Sequence, residues 1–218
     1  SKDICSELTK CSDLNKTHFA RGYLLGRGLK DLSRFYFCPD FAKWTNKHKK
    51  TFDKSFKDDP RIVIPLRDEK GCLFGYQGRS LESNPKLRYI TVMLDEDAPK
   101  IYGLDTIDTS KDIYVTEGPF DSTFLRNSIA MCGSDVDLST LDYQFIFVFD
   151  NEPRNREIVN RIERTIDKGE RVVIFPNSVK DKDLNDMVMS GLNVQDVVES
   201  NVYSGLEAKL KLNSWKKV

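Results

Sequence analysis

Asp112-Ile113-Tyr114-Val115-Thr116-Glu117-Gly118-Pro119-Phe120-Asp121 and Gln144-Phe145-Ile146-Phe147-Val148-Phe149-Asp150-Asn151-Glu152 are two β-rich runs that each break off into acidic residues. The second run lacks polar alternation, the pattern of a strand covered on both faces, as the strands of parallel sheets are. Each run hands over to a segment of helical character, so the carboxylates fall at strand C-termini. In open parallel sheets that edge carries the ligand crevice. Carboxylates crowded there repel one another and raise each other's pKa unless a cation neutralises them. With oxygen donors only, and no cysteine or histidine among them, the chemistry favours magnesium or manganese.

Outward from this pair, the chain from Asp112 reads as β-α-β repeats. Phe120, Phe124 and Leu125 predict a short amphipathic helix, Ile129 to Cys132 a strand, and Gly133-Ser134 a turn. Ile158, Ile162 and Ile166 stand at i, i+4 and i+8 and mark a helix that stops at Gly169. Arg171 to Phe175 is the next strand, ended by Pro176. Strands alternating with helices imply a doubly wound parallel sheet with right-handed crossovers. From Val194 to Val218 the tail reads as helical, with Val197, Val198, Val202, Leu206 and Leu210 as its apolar stripe.

The N-terminal half has a different character. Residues from about 3 to 59 read as mainly helical, with Phe19, Tyr23 and Leu24 at helical spacing before a stop at Arg27-Gly28. Between Lys43 and Lys57 there are six lysines against one aspartate, interleaved with Trp44, Phe52 and Phe56. Such a mixture suits single-stranded nucleic acid, and taken alone it suits better a solvated lysine loop whose rings dock on the core. From Asp59 short strands take over: Ile62, Ile64 and Leu66 alternate with Arg61, Val63 and Arg67. Asp68-Glu69-Lys70-Gly71 is a turn before Cys72 to Arg79, and Leu87 to Leu94 is a third strand. The small, antiparallel-leaning sheet so formed presents Arg67, Arg79, Arg88 and Lys100, cations suited to a site that holds metal and a polyanionic nucleotide. Surface solubility accounts for any one of them equally well.

Of the 218 residues 39% are apolar, ample for a packed core, and 34 basic residues balance 34 acidic ones. No global field therefore draws the protein to nucleic acid, and local segregation has to do so. Cys5, Cys11, Cys38, Cys72 and Cys132 are scattered and form no Cys-x-x-Cys pair, which argues for a reducing, cytoplasmic compartment and against a zinc site. No apolar run approaches the roughly 18 residues of a membrane span. The chain starts at Ser1 rather than Met, as a fragment would.

Glu117-Gly118-Pro119-Phe120-Asp121 followed by Asp150-Asn151-Glu152 resembles the TOPRIM domain of replicative primases, topoisomerases and some nucleases. Further pieces, Ala20 to Leu29, Arg61-Ile62-Val63-Ile64-Pro65, Tyr76-Gln77-Gly78-Arg79, Ile101-Tyr102-Gly103 and Lys182-Asp183-Leu184-Asn185-Asp186, extend the resemblance from about Arg21 to the C-terminus. The whole is similar to the catalytic part of T-even-type bacteriophage primases, relatives of the DnaG-type enzymes. The resemblance implies an α/β architecture, a TOPRIM domain with a doubly wound parallel sheet over 109–193, preceded by a smaller mixed α+β subdomain over 1–108 and followed by the helical tail 194–218. It implies DNA-templated synthesis of short RNA primers with Mg2+ or Mn2+, as two ions, on single-stranded DNA from ribonucleoside triphosphates. A replicative helicase and a single-stranded-DNA-binding protein are the implied partners, and the cytoplasm, the host's if phage-encoded, is the implied location.

Phosphoryl transfer needs a polarised 3′-hydroxyl, an in-line phosphorus and a neutralised leaving group, which two carboxylate-held divalent ions supply together. Glu117 is the candidate base or metal ligand, with Asp121 about one turn behind it. Asp150 and Glu152, at i and i+2 of an extended segment, are expected on one side and able to reach one ion. Asp183 follows the third strand, where the family places a further acidic pair; its partner position holds Asn185, with Asp186 beside it. Glu152 likewise replaces the second aspartate of the family's Asp-x-Asp. Arg79, Arg88 and Lys100 match basic residues of the primase core.

The competing readings are a TOPRIM nuclease or topoisomerase fragment, and a non-catalytic replisome adaptor. A topoisomerase needs a tyrosine nucleophile on a further domain, and the larger nucleases carry an ATPase whose Gly-x-x-x-x-Gly-Lys-Ser/Thr loop has no match in this chain. Retention of Glu117, Asp121, Asp150 and Asp183 weighs against an inert adaptor. With no paired Cys/His ligands, the chain is expected to be a polymerase core without its zinc module.

Overall fold

Aromatic and β-branched residues between turn formers set the first sheet in the computed structural model, which describes residues 2–218. The chain divides into two units, the first ending at Asp105 and the second spanning Thr106–Val218.

In the first unit the elements run β1 (Thr9–Lys10), α1 (Phe19–Gly26), β2 (Tyr36–Cys38), α2 (Phe41–His48), β3 (Arg61–Arg67), β4 (Leu73–Ser80), β5 (Tyr89–Met93) and β6 (Ile101–Tyr102). Strands β1 to β5 pair antiparallel in sequence order. Helix α1 starts where His18 Nδ1 accepts the Ala20 N–H at 3.1 Å, and ends before Gly28, whose φ of +87° suits glycine alone. The mainly helical reading of 3–59 is corrected. Only α1, α2 and two short 3-10 turns are helical there, because Tyr36-Phe37-Cys38 pairs with Ile62 and its neighbours, a non-local partner that overrides local tendency. The aromatics of the lysine-rich segment dock on the core: the Phe52 ring lies 4.5 Å from that of Phe56, tilted to it, and meets Phe41, and Trp44 is buried. The rings are spent on packing, and Lys43, Lys47, Lys50, Lys54 and Lys57 are exposed.

The alternation expected of β3 is absent, since every residue from Arg61 to Leu66 is buried. Arg61 is only 2% exposed. Its Nε meets Asp59 at 2.7 Å, and its other nitrogens reach the carbonyls of Gly78 and Leu87. Ser80 Oγ donates to the second Asp59 oxygen at 2.5 Å, so the buried ion pair is fully hydrogen-bonded. Gly78 is required beside it, because a Cβ there would stand 2.5 Å from the Phe41 ring.

The second unit runs β7 (Ile113–Thr116), α3 (Pro119–Ser122), β8 (Ser128–Met131), β9 (Phe145–Val148), α4 (Arg156–Asp167), β10 (Arg171–Val173), α5 (Leu184–Met189), α6 (Val194–Glu199), β11 (Val202–Tyr203) and α7 (Gly205–Trp215). Its strands lie in the order β11-β10-β9-β7-β8, parallel except for β11. Both faces are covered, as the unalternating Phe145–Phe149 run predicts. Phe149, Val172 and Ile174 pack with α4 and α7, and Ile146, Val148 and Val173 pack with α5 and α6. Asn155 caps α4 by accepting the Glu157 and Ile158 N–H groups, Ile158, Ile162 and Ile166 are buried, and Gly169 closes the helix at φ +80°.

Helix α3 is shorter than its apolar pattern suggests, ending at Ser122 with Phe124 and Leu125 in the following turn. The continuous tail helix is also corrected. Residues 194–218 belong to the second unit and break into α6, the edge strand β11 and α7. Because α7 restarts at Gly205, a stripe counted on from Val197 falls out of phase. Leu206 and Leu210 are 73% and 60% exposed, while Ala208, Leu212 and Trp215 are buried.

Candidate active site

The strand order creates a switch point. After β7 the chain turns to β8 on one side, and after β9 it crosses through α4 to β10 on the other, so the connections diverge at the C-terminal ends of the adjacent strands β7 and β9. That is where a doubly wound sheet opens its crevice. Glu117 follows β7 directly, ahead of Gly118 and Pro119 at the start of α3. Asp150 lies just past β9, and its N–H donates to Glu117 Oε2 at 3.3 Å.

The Asp150 carboxyl is pushed up to about 9, first by burial, then by the charges of Glu117, Asp121 and Asp183 and by a hydrogen bond with Glu117. Four of the five predicted acidic residues thus share one electrostatic neighbourhood. Asp121, in the first turn of α3, accepts the Asn185 N–H at 3.2 Å. Asp183 caps α5 by accepting the Asp186 N–H at 2.8 Å. Asn185, standing where the family resemblance places an acid, is buried.

Glu152 departs from expectation. Its N–H donates to the Asp150 carbonyl at 2.9 Å, which closes a tight turn and removes the extended i, i+2 geometry that would have aimed both side chains at one ion. Its carboxylate makes no hydrogen bond or ion pair among the described residues.

Three residues given no role in the sequence reading border the candidate site. Arg161, on α4, donates to Glu117 Oε1 at 2.5 Å and lies 5.2 Å over the Phe149 ring. Asn151 and Trp215 are joined by a buried hydrogen bond of 2.8 Å. Arg161 borders the buried stripe of α4, and a cation at a stripe edge is the one signal that could have marked it.

Among the described residues, no three His, Cys, Asp or Glu side chains are arranged to hold a metal ion. Glu117 is engaged by Arg161, and Asp183 gives one oxygen to its cap. The donor chemistry nevertheless fits a hard divalent cation, because all donors are oxygens and Asp150 is burdened by three like charges that a cation would relieve. The five cysteines are free thiols, and burial pushes Cys5, Cys11 and Cys38 up to about 12, as befits core residues.

The predicted cations sit in the first unit. Arg67 pairs with Asp3 at 2.5 Å. The Arg79 guanidinium lies between the rings of Tyr23 and Tyr89, at 5.3 and 5.4 Å, and bonds the Ser80 carbonyl. Its Nε is buried without a hydrogen-bond partner. Arg88 is exposed and Lys100 half-buried.

No protein-family model matches the chain. It is 33% identical, over 229 aligned positions, to the DNA primase of Enterobacteria phage T4, in an alignment that takes in all of this chain and 67% of the phage protein. The chain belongs to the DNA primase family. Solved primase structures match its fold. A DnaG primase catalytic domain bound to single-stranded DNA aligns with a TM-score of 0.70 at 19% identity, over 97% of this chain and 79% of that one. The RNA polymerase domain of Mycobacterium tuberculosis DnaG gives 0.67 at 18%, over 89% and 80%. The zinc-binding and RNA polymerase domains of Aquifex aeolicus primase give 0.64 at 17%, with 99% of this chain spanning 60% of that one. The two-sheet α/β architecture is therefore a primase catalytic fold, and no described helix is long and apolar enough to cross a membrane.

Proposed function

We propose that this chain is the RNA polymerase part of a primase, which joins ribonucleotides into short primers on single-stranded DNA at a TOPRIM site formed by Glu117, Asp121, Asp150 and Asp183. One observation carries the reading: at the switch point of the parallel sheet, Asp150 contacts Glu117 and its carboxyl is held near 9 by burial and three like charges. Carboxylates gathered at the ligand edge of a sheet, with one of them shifted this far, are what cation-binding sites concentrate.

Mg2+ or Mn2+ bound at these carboxylates would supply the charge that offsets the triphosphate and polarises the attacking hydroxyl. Asp150, Asp121 and Asp183 are the proposed donors, with Glu152 kept as a further candidate. Glu117 is oriented by Arg161, which leaves Oε2 toward Asp150. The donors support one ion at Asp150 more directly than a second, since Asp121 and Asp183 each give an oxygen to a backbone N–H and Asn185 brings no charge. Arg79 and Arg88 are read as contacts to template or nucleotide phosphates, Arg79 with its plane fixed between two rings. Lys100 joins them on the family resemblance. Arg67, already neutralised by Asp3, serves that role less directly. The family likeness is also what supports a replicative helicase as partner, a single-stranded-DNA-binding protein beside it, and action in the cytoplasm of the host cell.

The test is a reaction with labelled ribonucleoside triphosphates, single-stranded DNA and magnesium, scored for product. Short RNA of template-dependent sequence supports the proposal. Cut DNA without RNA would transfer the same carboxylates to a nuclease.

A further inference from the structure

We infer that the C-terminal segment is a clasp on the active-site turn, in which Trp215, acting through Asn151, fixes where Asp150 and Asp183 stand; the inference rests on the proposed carboxylate site. Asn151 is 8% exposed and immediately follows Asp150. Its Nδ2 donates to the Val179 and Asp181 carbonyls at 3.0 and 2.9 Å, and its backbone N–H donates to the Lys182 carbonyl at 2.6 Å. These three bonds tie the end of β9 to the loop that delivers Asp183. The remaining polar atom, Oδ1, accepts the Trp215 indole N–H at 2.8 Å.

Every bonding group of the side chain has a required direction. Two carbonyls demand the amide nitrogen on one side, and an indole donor demands the amide oxygen on the other, so neither flipping the amide nor replacing it by a carboxylate satisfies the set. Trp215 is itself fixed, 6% exposed among Phe149, Ile158 and Ile162. Two residues on, Lys217 N–H donates to the Pro153 carbonyl at 2.8 Å, a second tie to the same turn. The acidic turn is thus held from the C-terminal segment at both Asn151 and Pro153. Trp215 touches no reacting group and is a positioning residue.

The test uses the full chain without nucleotide and measures Mn2+ affinity, thermal midpoint and exchange of the Trp215 indole proton. Trp215→Phe keeps the ring and removes the donor, and Asn151→Ala removes its acceptor; each is expected to weaken Mn2+ binding about tenfold, the scale of outer-shell losses at metal sites. The double variant should be no worse than the poorer single one, as for two ends of one bond. Leu212→Ala, which loosens the same helix without touching Asn151, should lower the thermal midpoint and leave Mn2+ affinity as it was. In the wild type the indole proton should exchange slowly, and faster in Asn151→Ala. Equal Mn2+ affinity in wild type, Trp215→Phe and Asn151→Ala, or an equal loss in Leu212→Ala, would overturn the clasp. Asp150→Ala separates the two levels: if it weakens Mn2+ binding while Trp215→Phe does not, only the clasp fails, and if it binds Mn2+ as the wild type does, the carboxylate site fails and takes the clasp with it.

Discussion

Asp150 carries a cost in the cation-free protein. Its carboxyl is shifted from an ordinary 3.8 to about 9 in the fold, so between those values the folded chain keeps a proton that the unfolded chain has released. Stability therefore falls as pH climbs through that window, the reverse of the usual salt-bridged aspartate. In chelated buffer, Asp150→Asn should flatten this slope and melt higher than wild type at pH 8. Each kcal/mol recovered corresponds to about 2–4 °C for a chain of this size. Thermal melts across pH 5 to 9 check it, and parallel slopes would refute the placement of the charge. Glu117 and Asp150 drew attention because each follows a β-rich run at its end, whereas Asp121 lies in α3 and Asp183 caps α5. Arg161 and Asn151 did not, because their partners lie 44 and 28 to 64 residues away, and no local pattern encodes such pairs. The i, i+2 argument for Glu152 holds in extended chain, and the turn after Asp150 is not extended.

The elements of the second unit were read closely, since runs such as Phe145–Val148 and the stripe of α4 are buried on the faces their periodicity names. The C-terminal elements were not, because a break at Gly205 resets the helical phase and only packing reveals the new one. Leu212→Ala should cost about 2–5 kcal/mol and Leu210→Ala less than about 0.5, although the sequence stripe puts Leu210 inside. Urea denaturation of the two variants decides between the phases. In the first unit, β3 read as half-exposed while Arg61 was in fact buried with Asp59, a pairing hidden from any apolar count. Arg61→Met should destabilise by about 3–5 kcal/mol, because Asp59 would be left charged and buried without its partner. A loss below 1 kcal/mol in the same denaturation experiment would mean that the pair is not intact.

At the scale of the molecule, net charge is zero, so any hold on a polyanion comes from placed cations rather than from a global field. Arg79→Ala and Lys100→Ala should each weaken single-stranded DNA or nucleotide binding and reduce the salt slope by about 1. Titrations at several salt concentrations measure it, and unchanged slopes would return both residues to surface charge. The catalytic claim is tested most directly by primer synthesis with Asp150→Ala beside wild type, on single-stranded DNA with ribonucleotides and magnesium. Short RNA is expected from the wild type, with a loss of about a hundredfold or more in the variant and a thermal midpoint no lower than wild type in chelated buffer. Primer synthesis at the wild-type rate by Asp150→Ala would contradict it.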